Sequence, residues 1–85
     1  MNNIVMRKVV VGADFQPVTA QTIEVASVEI SASPENAAPV IFLGDDGSEV
    51  PFVPGEYHQF IHVNLADFKV KGQAGDVVTV IGGTW

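Results

Sequence analysis

His58 and His62 are the only two histidines of the chain, and imidazoles four residues apart begin a zinc site when that spacing falls on a helix. Tyr57 to Val63 reads as a strand instead. Four residues at ~3.3 Å each set the two rings ~13 Å apart on one face, with Phe60 between them. Two nitrogens at ~2 Å from one zinc do not span that distance. A metal shared by this pair within one chain is therefore disfavoured, while a metal on an oligomer axis, with one histidine from each copy, stays open. Asp45-Asp46-Gly47-Ser48-Glu49 begins like a calcium loop but is short of alternate ligands and of a distal bidentate glutamate, so it reads as a solvated turn. Ser27, Ser31, Ser33 and Ser48 have no histidine and acid at suggestive positions. Gly82-Gly83 precedes no helix and so forms no phosphate cradle. Trp85, Tyr57 and the five phenylalanines are candidates for a sugar-binding platform, but core packing accounts for them better. No catalytic, cofactor or metal residue is assigned, and the chain reads as a non-enzyme.

The elements that carry these residues are strands and tight turns. Pro39 to Glu56 is the densest stretch. An apolar run, Val40-Ile41-Phe42-Leu43, stops at Gly44, the acidic turn follows, and Val50 to Val53 runs into Pro54-Gly55-Glu56. Ile4 to Val11 reads as a first strand, broken by Gly12-Ala13-Asp14, and Gln16-Pro17 opens the next segment. Val18 to Ser33 alternates. Ile23 and Val25, then Ala26, Val28, Ile30 and Ala32, point inward, with Ser27, Glu29 and Ser31 outward. The phase changes at Val25-Ala26, which predicts a bulge or a break. Tyr57 to Val63, Phe68 to Val70 and Val77 to Ile81 supply further strands, with a turn at Gly72 to Asp76. One helical turn is conceivable at Ser33 to Ala38, with Ser33 as cap and Pro34 at the first position. The expected fold is a single all-β domain over residues 1–85: a small antiparallel β-sandwich, jelly-roll-like, of about seven or eight short strands.

Eighty-five residues make a marginal core, and there is no cysteine to staple it. Apolar residues make up 47% and charged residues only 16%, below the usual ~25%, so apolar surface is left for a partner to cover. Val40 to Leu43 and Val77 to Ile81 are apolar on both faces, which points to an oligomer interface at Val40, Phe42, Val78, Val80 and Trp85. Ten acidic residues stand against four basic ones, arranged as the pairs Arg7-Lys8 and Lys69-Lys71. Nucleic acid and anionic membrane both require clustered cations, so neither is an expected partner. Val9 to Val11 is too short for a secretory core, and no run approaches the ~20 residues of a membrane span, so synthesis in the cytoplasm is expected.

Several pieces, taken in order from Val28 onward, resemble a known pattern: Val28-x-Ile30-x-Ala32 with Asn36, Val40 to Asp45, Pro51 to Glu56, Leu65 to Val70 and Gly75 to Gly82. The chain is similar to the small β-sandwich virion proteins of tailed bacteriophages, of the head-decoration or head-fibre type. The resemblance implies a structural protein that binds the outer capsid surface and ties the lattice together. Its partners would be the major capsid protein and other copies of itself, most often as a trimer, with no cofactor. Asp45, Asp46 and Glu49 would form a capsid-facing turn. The alternatives are a tail, fibre or baseplate accessory, or a carbohydrate-binding sandwich.

Overall fold

Eight strands carry the chain through two four-stranded antiparallel sheets: β1 (Ile4–Val10), β2 (Gln16–Pro17), β3 (Glu24–Ala32), β4 (Val40–Leu43), β5 (Glu49–Phe52), β6 (Tyr57–Asn64), β7 (Lys69–Lys71) and β8 (Val77–Gly83). The structure, a computed structural model, describes residues 4–84. One sheet has the order β1-β8-β3-β6 and the other β2-β7-β4-β5. Every connection crosses from one sheet to the other except the β4–β5 hairpin. That winding is a jelly roll, in which the crossing connections wrap one sandwich around one core.

The core is aliphatic. Ile30, Leu65, Val40, Val70, Val78 and Val80 are the largest fully buried side chains, and Phe42 and Phe52 close one side. Each buried residue of this size contributes about 1.5–3 kcal/mol relative to exposure. Period-two alternation places them: Val28, Ile30 and Ala32 of β3 point in, while Ser27, Glu29 and Ser31 between them point out. The expectation that Val40, Phe42, Val78 and Val80 lie at an oligomer interface is corrected. All four are buried within the single chain. Their strands are indeed apolar on both faces, but it is the alternate residues, Ile41, Leu43, Val77 and Ile81, that turn outward, with Leu43 and Ile81 exposed. Trp85 lies outside the described residues.

The predicted phase change falls at a paired kink. Val25 pairs with Val63 and Ser27 with Ile61, while Ala26 and His62 between them drop out of the ladder. His62 has φ 55, the single positive value at a described non-glycine residue. The inward series switches there from Val28 to Val25 on β3 and from Phe60 to Val63 on β6. Ala26 is half-buried in the kink rather than a core residue. Residues 18–23 are not strand. Val18 and Thr19 are buried in the connection, and β3 starts only at Glu24. Residues 33–38 form turns rather than a helical turn, because Asn36 and the backbone after it are held elsewhere. Asn36 Nδ2 donates to the Val77 carbonyl (3.0 Å), and Val77 N donates to Asn36 Oδ1 (2.8 Å). The Asp76 carboxylate accepts from the backbone N–H groups of Ala37 (3.1 Å) and Ala38 (3.2 Å). The short helical turn that does form is a 3-10 segment at Leu65–Asp67, capped by Asn64 Oδ1 accepting from Ala66 N.

Candidate interaction surface

The outer face of the β1-β8-β3-β6 sheet is built by four strands that approach from both ends of the sequence. Its rows follow from the register. Ile4 aligns with Gly83, Ser27 and Ile61; Met6 with Ile81, Glu29 and Gln59; Lys8 with Thr79, Ser31 and Tyr57. The two edge strands carry the large side chains: Ile4 (71% exposed), Met6 (70%) and Val10 (54%) on β1, Ile61 (69%) and Tyr57 (62%) on β6. Ile81 (51%) stands on β8. The middle is lower, with Gly83, Ser27, Ser31 and Thr79, and Ser31 Oγ and Thr79 Oγ1 share a hydrogen bond of 2.6 Å across β3 and β8. Two ridges, apolar but for Lys8 and Gln59, therefore flank a lower channel that is lined by small residues except at Ile81 of β8 and Glu29 of β3. Glu29 lies half-buried in that channel, and among the described residues neither Glu29 nor Lys8 appears in an ion pair.

The sheet edges differ. The edge strands of the other sheet, β2 and β5, contain Pro17 and Pro51, which donate nothing to an added strand. β1 places Arg7-Lys8 at its middle, and β6 is kinked at His62. These are the devices that keep edges from pairing. The large apolar outer face is not protected in this way.

Of the residues weighed for chemistry, Ser27, Ser31, Tyr57 and Gly83 belong to this face, while the histidines and the acidic turn lie apart from it. His58 sits at the inner margin of β6. Its Nε2 meets Glu56 Oε2 at 2.7 Å and its ring meets Phe52 edge-on at 4.9 Å. Bonding to His58 first, and to the Val53 N–H second, holds the Glu56 carboxyl below its usual value of 4.5. His62 is carried out of phase by the kink and borders an open hollow of about 930 Å³ with Glu24, Asp45, Asp67 and Lys69. Among the described residues, no group of three or more histidines and carboxylates that could hold a metal comes together.

The acidic turn projects from the β4–β5 hairpin of the opposite sheet. Gly44 N donates to the Ser48 carbonyl (2.7 Å), and Gly47, at φ 87, occupies the left-handed position that the turn requires. Asp46 accepts from Ser48 N (2.9 Å), and the hydrogen bonds from Ser48 hold its carboxyl below the usual value. Glu49 meets Lys71 Nζ at 3.4 Å, and Asp45 is exposed. The phenylalanines weighed as a sugar platform are core or half-buried. Phe42 packs on Phe52 (4.4 Å), Phe60 on Phe68 (4.9 Å), and Phe15 lies beneath Lys71 Nζ (4.7 Å).

The outer face escaped the sequence reading because its strongest members, Ile4, Met6 and Ile61, lie in segments that look ordinary when read singly. The available signal was the even-numbered series Ile4, Met6 and Val10 on one side of β1, opposite the core residue Val5.

No protein-family model matches the chain, and no curated protein matches it. Among solved structures, a de novo designed double-stranded β-helix, determined by solution NMR, is similar over 95% of this chain and 97% of its own, with a TM-score of 0.51. The two sequences are 18% identical, so the likeness speaks to the fold alone. It agrees with the small all-β sandwich described by the strand order.

Proposed function

We propose that this chain is a virion structural protein, a capsid decoration subunit that associates with copies of itself and attaches to the outer capsid surface. The observation that carries the reading is the outer face of the β1-β8-β3-β6 sheet. Monomeric soluble proteins rarely leave more than a few hundred Å² of contiguous apolar surface uncovered. Six large side chains stand more than half exposed there. A face of that kind suits a subunit whose working state is an assembly. The acidic turn lies on the opposite sheet, so self-association and attachment to the lattice use different sides of the sandwich. Weak lattice contacts suffice when linked copies raise the effective concentration of the next contact. The test is co-sedimentation of the purified protein with undecorated capsids from the same source, together with mass spectrometry of purified virions. Stoichiometric co-sedimentation that weakens when Asp45 and Glu49 are replaced by lysine is the expected result. Failure to co-sediment and absence from virions would remove the virion role.

A further inference from the structure

We propose that the outer face of the β1-β8-β3-β6 sheet is covered by the same face of a second copy, stacked about a twofold axis that runs parallel to the strands. The proposal rests on the self-association in the reading above and specifies its surface and symmetry.

Area is the first argument. Ile4, Met6, Val10, Tyr57, Ile61 and Ile81 are between 51% and 71% exposed. Side chains of this size present on the order of 600 Å² together, close to the ~800 Å² per partner of a standard stable interface. Two sheets packed face to face stand ~10 Å apart, a gap that side chains of this size fill.

Self-complementarity is the second. A twofold axis along the strands places β1 of one copy over β6 of the other and keeps the rows in register. Ile4 then meets Ile61 of the second copy, Met6 its Gln59 and Lys8 its Tyr57 at both margins, while Ile81 lies over its Glu29 in the middle. A twofold contact repeats itself, so both margins are satisfied at once. A threefold ring would require two different complementary surfaces, whereas here one face carries both halves of the match.

Charge is the third. The face holds one acid, Glu29, in the channel and one base, Lys8, on the ridge. Stacking buries Glu29, which is costly unless a cation arrives with it. The twofold brings Lys8 of the second copy to within one strand and one row of Glu29, a distance that the two side chains span. The pair forms twice. The protected edges of both sheets leave the face as the route for association.

The experiment uses the full-length chain. Light scattering after size exclusion is expected to read a dimer at tens of micromolar. Lys8→Glu is expected to raise the dimer Kd about tenfold or more, and adding Glu29→Lys to it is expected to restore pairing. Val53→Glu, just past the end of β5 of the other sheet, is expected to leave the dimer unchanged. The chain has no cysteine, so placed thiols report geometry directly. Ile4 and Ile61 are about 14 Å apart within one copy, three strand spacings, but face each other across the pair. Ile4→Cys/Ile61→Cys with a short bismaleimide is expected to give a covalent dimer, and either single variant none. Circular dichroism and a melting curve confirm that each variant is folded. A monomer at 100 micromolar order concentrations, a trimer, or cross-linking in either single variant overturns the twofold stack. A trimer that co-sediments with capsids would leave the assembly reading standing. A dimer that does not co-sediment would leave the stack standing and remove the virion role.

Discussion

Gly82→Ala is expected to be among the most damaging single methyl additions available to this fold. Gly82 lies on β8, paired with Val5 of β1 on one side and Val28 of β3 on the other. A Cβ built there would fall onto the carbonyl oxygen of Ser27 and within 2.8 Å of Val28 Cα and 2.9 Å of Val28 Cβ. Carbon atoms pack at about 3.5–4.0 Å, so β3 and β8 would have to separate by roughly 0.7–1 Å. Two of the obstructing atoms are backbone and the third, Val28 Cβ, is fixed by the backbone, and β8 is held on both sides, so no side-chain rotation relieves the clash. Overpacking costs typically 1–3 kcal/mol, and a backbone clash between central strands belongs at the top, about 3 kcal/mol. A domain of this size has on the order of 4–13 kcal/mol in total. The melting temperature should fall by about 12–24 °C, at 4–8 °C per kcal/mol. With a urea m-value of about 1 kcal/mol/M the midpoint should fall by roughly 3 M. Gly12→Ala is the control, because a Cβ there meets no heavy atom within 4 Å. A Gly82→Ala protein melting within ~3 °C of the parent would refute the reasoning and show that the β3–β8 approach is not tight.

Three further outcomes follow from named contacts. Asp76→Ala removes the carboxylate that accepts from Ala37 N and Ala38 N beside the start of β8, and should cost about 2–3 kcal/mol in urea unfolding, more than Asp76→Asn, which keeps an acceptor. The Glu56 carboxyl is lowered by His58 and the Val53 N–H, so it binds its proton less readily folded than unfolded. Its contribution to stability is present above about 4.5 and is lost as the pH falls through the lowered value, and Glu56→Gln should flatten the acid limb of a melting-temperature profile against pH. With a net charge of −6 the protein should not retard duplex or single-stranded DNA at physiological salt, and sub-micromolar retardation in a gel would contradict that.

Much of the local structure is written in the order of residue types. Strict alternation through Val28-Glu29-Ile30-Ser31-Ala32 determines a half-buried strand and its inward side, because side chains change face with every residue. Asp45 to Ser48 determines a tight turn, because Gly47 supplies the left-handed backbone. Even the kink opposite His62 announces itself, as one residue out of phase at Val25-Ala26. Where both faces of a strand are apolar, period two carries no information about which side is inside. Only packing against the second sheet decided that Val40, Phe42, Val78 and Val80 are core while Leu43 and Ile81 look outward. The two residues of β2 have no strand character of their own and exist as strand because β7 pairs with them. The outer face is the furthest from the sequence, since Ile4 and Ile61 share a row only through the register of β1 on β8, β8 on β3 and β3 on β6. Local pattern sets which residues alternate. Pairing partners are chosen by the burial of the whole core, which no local segment contains.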